Sequence, residues 1–228
     1  QTVSGTISGT GALVKSGSGS ITLSSSNSYS GGTTISVGTI RIGHDNALGS
    51  GSLKLGVSGT TATITFSSTD ATDRSISNVL TAFVGSSWNT TFGSAGTGNL
   101  TFGNTTSVTL GAVRTFTVNN SWTSFANAFT GASDGITKAG TGTLILAGNN
   151  TYTGGTVLNL GTLVLGATGR LGTGGIVVNR ATLTQTAGGI IPAQALTLNA
   201  SSTVTLAGNN SLTGLTFGNA GGAAPTLT

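Results

Sequence analysis

Side chains able to do chemistry are scarce in this chain: one His, four Asp, eight Lys and Arg, and no Glu, Cys or Met in 228 residues. Glycoside hydrolysis generally needs two carboxylates facing one groove. The carboxylate side chains are Asp45, Asp70, Asp73 and Asp134. Asp70 and Asp73 are close in sequence and lie beside Arg74 in Ser68-Thr69-Asp70-Ala71-Thr72-Asp73-Arg74, which reads as a polar turn. A Ser–His–Asp triad needs a His oriented by a carboxylate and aimed at a Ser. His44 and Asp45 are adjacent, and neighbouring side chains on a turn point apart. One His and no Cys cannot build a usual zinc site. Calcium prefers several carboxylates, and no Asp-x-Asp run occurs. Gly172-Thr173-Gly174-Gly175 lacks the Lys-Ser/Thr ending of a phosphate loop. The expectation is no catalytic residue, no metal site and no cofactor.

Charge points the same way. The formal net charge is +4 and only 5% of residues are charged. Lys15, Arg41, Lys54, Arg74, Arg114, Lys138, Arg170 and Arg180 are scattered, with no two adjacent. A nucleic-acid footprint is a cluster or stripe that neutralises several phosphates, so no nucleic-acid partner is expected. No apolar run approaches the roughly eighteen residues of a membrane helix, so no transmembrane segment is expected. Gln1-Thr2-Val3-Ser4 has neither Met nor a charged-then-apolar leader, and reads as processed, trimmed or partial.

The elements that would position any site are repeats. Residues 17–55 align without a gap on 140–178, a shift of 123, with fourteen of 39 positions identical. The shared core is Asn27-Ser28-Tyr29-Ser30-Gly31-Gly32-Thr33 in one copy and Asn150-Thr151-Tyr152-Thr153-Gly154-Gly155-Thr156 in the other. Upstream, Lys15 matches Lys138; His44-Asp45 falls on Ala167-Thr168, so the repeat does not require a His or Asp there. Leu206-Ala207-Gly208-Asn209-Asn210 echoes Leu146-Ala147-Gly148-Asn149-Asn150. The divisions expected are repeat cores at about 12–56 and 135–179, a partial repeat at about 196–228, and an irregular spacer at about 60–134.

Within the repeats the apolar period is two. Ile40 and Ile42 flank Arg41, Leu53 and Leu55 flank Lys54, and Leu196-Thr197-Leu198 alternates likewise. That alternation is the signature of half-buried strands. Leu144-Ile145-Leu146 and Leu163-Val164-Leu165 are apolar throughout, which predicts burial on both faces. Short strands, frequent Gly, Asn and Ser punctuation and the recurring blocks predict an all-β chain. The architecture expected is a parallel β-helix (a β-solenoid) as a single elongated domain. At roughly 20 residues per coil it would make about 11 coils and stand about 50 Å tall.

The repeated block resembles the autotransporter-associated β-strand repeat, also called the passenger-associated transport repeat. The resemblance rests on Gly140-Thr141-Gly142-Thr143-Leu144, the Asn150 to Thr156 core, Gly161-Thr162-Leu163 and Leu171-Gly172; the first copy departs mildly, with Ser20-Ile21 and Gly38-Thr39-Ile40. It covers roughly a third of the chain and implies a bacterial protein that is extracellular or on the outer surface. The translocating barrel of such proteins has no counterpart at Ala223-Ala224-Pro225-Thr226-Leu227-Thr228, which lacks an aromatic-girdled strand set.

Asn27, Tyr29, Gly31, Gly32, Asn150, Tyr152, Gly154 and Gly155 read as structural repeat positions: aromatic plugs over coil corners, with Gly giving backbone clearance. Trp88 and Trp122 fall in the spacer, where sugar stacking or a partner contact is conceivable and packing is the simpler reading. The function expected is a structural solenoid serving as stalk, spacer, matrix or fibre component. Its partners would be further coils or copies of itself stacked end to end. The alternative is an adhesin that binds surface glycans through irregular loops and Trp side chains; an enzyme ranks third.

Overall fold

The computed structural model describes residues 1–56, 61–83, 87–167, 169–186, 191, 193–218 and 221–228. Its regular elements are all strands, and all strand pairings among the described residues are parallel. Among them no helix is long and apolar enough to cross a membrane. The expected parallel β-solenoid is what forms.

One sheet of eleven strands runs the length of the molecule, from Thr2–Val3 through Gly38–Ile42, Thr61–Ser68, Arg114–Val118 and Thr156–Leu158 to Leu212–Phe217. A second sheet stacks eight strands from Arg74–Ile76 through Thr143–Leu146 and Thr162–Leu165 to Thr226–Leu227. Two shorter sheets complete the walls: Leu13–Lys15, Thr33–Ile35, Leu53–Leu55 and Leu80–Phe83 in one, Val108–Thr109 and Phe129–Thr130 in the other. In the second repeat the coils are short: Thr156 pairs with Ile176, and Ile176 with Leu196.

The spacer continues the solenoid with longer coils. Gly38 pairs with Ile64, Ile64 with Thr90 and Thr90 with Phe116, a wider interval at every step than between Thr156, Ile176 and Leu196. The coils that begin at Thr61, Ser87 and Arg114 each carry a third strand, Leu80–Phe83, Val108–Thr109 and Phe129–Thr130 respectively. The wider interior is filled by larger side chains: Phe66, Phe92, Phe102, Phe116, Phe125 and Phe129 are all buried. Phe102 and Phe125 stack at 4.5 Å between centroids with planes 6° apart, and Phe92 meets Phe116 edge-on at 5.8 Å. The repeat cores fill the same interior mainly with Leu, Ile and Val, with Tyr29 and Tyr152 buried at the corners.

The longer coils also shift the frame. Ser20–Leu23 and Gly38–Ile42 of the first repeat belong to the long sheet, whereas their counterparts 143–146 and 161–165 fall on the second sheet. The local corner is repeated; the wall it joins is not.

Alternation holds where it is expected. Ile40, Ile42, Leu53 and Leu55 point inward with Arg41 exposed between the first two. The all-apolar strands depart from the expected burial on both faces. Leu144, Leu146, Leu163 and Leu165 are buried, but Ile145 and Val164 are only half-buried on the outer surface. They pair with each other across adjacent coils, and this lateral contact shields them without a covering layer.

A deletion series should separate core from end. Phe125→Ala leaves a cavity in the aromatic column and should cost about 3–5 kcal/mol in equilibrium denaturation. Phe217, 55% exposed at the last strand of the long sheet, should cost under about 0.5 kcal/mol when changed to Ala. Equal costs would contradict the described interior.

Candidate functional site

At each corner the strand ladder stops, and backbone groups must find other partners. The repeat motif supplies them. The Asn27 side-chain amide donates to Ala47 O at 2.7 Å, and its Oδ1 accepts the Ile7 N–H at 2.8 Å. Asn150 donates to Arg170 O at 2.7 Å and accepts the Phe129 N–H at 2.8 Å. In the partial echo Asn210 accepts the Ile191 N–H at 3.0 Å. Each Asn therefore takes the place of a missing ladder bond between coils.

The tyrosines sit beside them. Tyr29 and Tyr152 are buried, with hydroxyls 2.5 Å from Thr33 Oγ1 and 2.7 Å from Thr156 Oγ1. Burial pushes the Tyr152 hydroxyl up to about 12. The next coil crosses each ring through a glycine, Gly49 or Gly172, where a Cβ would collide with the tyrosine carbonyl and ring. Of the paired motif glycines, a Cβ on Gly31 would lie 2.6 Å from Thr10 O, and Gly32 has φ of 88°. A Cβ on Gly154 would collide with Asp134 O, whereas on Gly155 it would meet only Gly175 O at 3.0 Å.

Two features had no assigned role in the sequence. Lys15 Nζ donates to the carbonyls of Ser16, Gly17 and Val37 at 3.2, 2.5 and 3.0 Å. Lys138 Nζ donates to Ala139, Gly140 and Leu160 at 2.7, 2.7 and 3.1 Å. These are the same three carbonyls under the shift that relates the two repeats. Each ammonium bridges its own corner to the following coil. Burial pushes the Lys138 amine down to about 8. The match of Lys15 with Lys138 was the available signal. The second feature left none: Asn78 donates to Gly49 O and Gly51 O at 3.0 and 2.7 Å, and Gln194 donates to their counterparts Gly172 O and Gly174 O. Asn78 and Gln194 are not equivalent in the repeat alignment, although their targets are.

The scarce acidic groups anchor turns. Asp45 accepts the Ser75 N–H at 3.1 Å, Asp70 the Thr72 N–H at 2.8 Å, Asp73 the Asn99 N–H at 2.8 Å, and Asp134 the Gly111 N–H at 2.6 Å. The Thr72 backbone bond chiefly holds Asp70 below the usual carboxylate range. Arg74 adds an ion pair at 3.3 Å. His44 Nδ1 accepts the Asn46 N–H of its own turn at 3.0 Å. Among the described residues, no three His, Asp or Glu side chains gather as a metal site. Trp88 and Trp122 lie in different sheets, opposite Ala62 and Thr143. Trp122 is half-buried; the Trp88 side chain lies outside the described residues.

The sequence that builds these corners matches a known family, the passenger-associated-transport-repeat, at residues 13–42 and 136–165. The chain carries passenger-associated-transport-repeats. Each matched span runs from two residues before the lysine to the strand after the Asn-x-Tyr-x-Gly-Gly-Thr corner. An adhesin autotransporter, BmaC of Brucella suis biovar 1, is 36% identical over 164 residues, which is 71% of this chain and 4% of that protein. The chain thus spans a small fraction of that relative's length. No solved structure matches it.

Two measurements check the corner of the transport repeat. Gly154→Ala should destabilise the chain by about 1 kcal/mol or more, and Gly155→Ala by clearly less, in paired thermal melts. Between pH 8 and 10 the unfolded chain keeps a proton on Lys138 that the folded chain has released. Stability from this site therefore rises with pH over that window. Wild type should gain stability relative to Lys138→Met from pH 8 to 10, by paired denaturation curves; a flat difference would contradict the assignment.

Proposed function

We propose that this chain is a rod-forming segment of a secreted bacterial passenger displayed at the outer surface, serving as stalk, spacer or matrix component. The observation that carries this reading is the unbroken interior. Apolar side chains line the molecule from Leu23 to Val204, and the corners are closed by the chain's own Asn, Lys and Tyr groups. In this reading Asn27, Tyr29, Gly31, Gly32, Asn150, Tyr152, Gly154 and Gly155 build coils and bind no ligand. The carboxylates hold turns and perform no catalysis.

The partners along the axis are further coils. Thr2–Val3 and Leu212–Phe217 are the outermost strands of the long sheet and each pairs on one side. Leu215 and Phe217 are 43% and 55% exposed there. Such an edge accepts another strand in register. The second reading, adhesion, is favoured by the adhesin name of the Brucella relative. The two are compatible, since a rod can carry contact surfaces along its walls.

Small-angle scattering on the single chain and on an in-register tandem duplicate tests the rod. Eleven stacked strands span about 50 Å, so duplication should lengthen the particle by about 50 Å at constant cross-section. A duplicate that widens instead would overturn the reading.

A further inference from the structure

One wall of the C-terminal half carries polar residues that the repeat does not require. Asn159, Asn179 and Asn199 follow successive strands of the long sheet, one coil apart. Asn179 donates to Asn159 Oδ1 at 3.0 Å, and Asn199 donates to Asn179 Oδ1 at 2.5 Å. Under the shift of 123, Asn159 falls on Ser36 and Asn179, one residue past the aligned block, on Gly56, so the corner folds without them. With Arg180, Ala200 and Gly221 they line a concavity of about 460 Å³.

Arg180 is the unexpected member. The corner between the long and second sheets turns through positive φ in successive coils, at Gly140 (77°), Gly161 (72°), Arg180 (46°), Ser201 (59°) and Gly221 (73°). Glycine adopts this conformation without strain and arginine does not. Strained non-glycine backbone persists where the surroundings enforce it and clusters at functional positions. Arg180 is exposed and forms no ion pair or side-chain hydrogen bond among the described residues. Arg180 lines the same concavity as the amide ladder, and no described residue engages its guanidinium donors.

We infer that this groove binds an acidic polysaccharide, with Arg180 taking a sugar carboxylate and the Asn ladder taking hydroxyls. Arg presents a planar fork that matches a carboxylate through two parallel bonds. A side-chain amide has two donor hydrogens and two acceptor lone pairs. Asn179 uses one of each in the ladder, which leaves a donor and an acceptor for neighbouring hydroxyls of a sugar ring. The ladder repeats at the coil spacing of about 4.8 Å, so a polyhydroxylated chain lying along the rod meets an amide at each coil. A protein partner would need an aromatic or large aliphatic anchor pocket, and the described lining residues include no aromatic or large aliphatic side chain. A nucleic acid would need a stripe of cations, and among the described lining residues Arg180 is the one cation. The inference goes beyond the rod reading and does not depend on it.

Titration of the whole chain with tetragalacturonate tests the groove, with the fully methyl-esterified tetramer as the uncharged control. Arg180→Asn removes the charge with a residue that tolerates positive φ, so the melting temperature should hold while affinity falls at least tenfold. Asn179→Ser should weaken binding several-fold. Arg41→Asn, an exposed arginine elsewhere on the rod, should leave binding unchanged. No binding by wild type, equal binding of the esterified tetramer, or equal loss in Arg41→Asn overturns the inference. Scattering on the same samples reports the rod independently, so failure of the groove and failure of the rod are read separately.

Discussion

Everything in this molecule depends on satisfying backbone groups where a strand ladder turns a corner. Along a wall each N–H finds a carbonyl in the adjacent coil. At a bend that match fails, and a buried unpaired polar group costs roughly 1–3 kcal/mol. The chain answers with side chains that reach between coils. Asn27 and Asn150 bridge coils in both directions, Lys15 and Lys138 gather three carbonyls each, and Asn78 and Gln194 close matching pairs from the following coil. Glycine follows from the same constraint, because Gly49 and Gly172 let the next coil pass over a tyrosine ring. The motif is therefore a set of solutions to one hydrogen-bonding problem.

The interior scales with the coil. The short coils through Thr156, Ile176 and Leu196 close around aliphatic side chains. The longer coils through Ile64, Thr90 and Phe116 leave a wider channel, and phenylalanines fill it. The change of length carries the first repeat's strands onto one wall and the second repeat's onto another. A rod assembled this way tolerates such drift, since every wall offers the same parallel edge and the corners carry their own partners.

Much of this was legible in the sequence. Period-two alternation at Ile40-Arg41-Ile42 and Leu53-Lys54-Leu55 marked strands and their inward faces. The gapless repeat pointed to the coil, and the Asn and Tyr positions to the corner. What stayed hidden has physical reasons. The spacer reads as irregular because its third strands are short and its coil length differs from the repeat's. Lys138 shows in the sequence only as the match of Lys15, and its role emerges where three carbonyls converge on it. Asn78 and Gln194 lie at unrelated offsets and meet equivalent carbonyls only in three dimensions. Trp88 and Trp122 both fall in the spacer, and only the strand pairings place them on different sheets. The ladder of Asn159, Asn179 and Asn199 is concealed among many asparagines until the coil spacing aligns it.

The account's central claim is that motif asparagines replace ladder bonds between coils. Amide hydrogen exchange resolved at single residues tests it most directly. The N–H groups of Ile7 and Ile191 lie outside the strands and point at Asn27 and Asn210, and that of Phe129, the first residue of the strand paired with Val108–Thr109, points at Asn150. The account predicts that the Phe129 amide is as protected as the neighbouring strand amides in the wild type. It also predicts that Asn150→Ala releases that amide while Arg114–Val118 stays protected. A Phe129 amide that exchanges in the wild type at the rate of an exposed loop would contradict it.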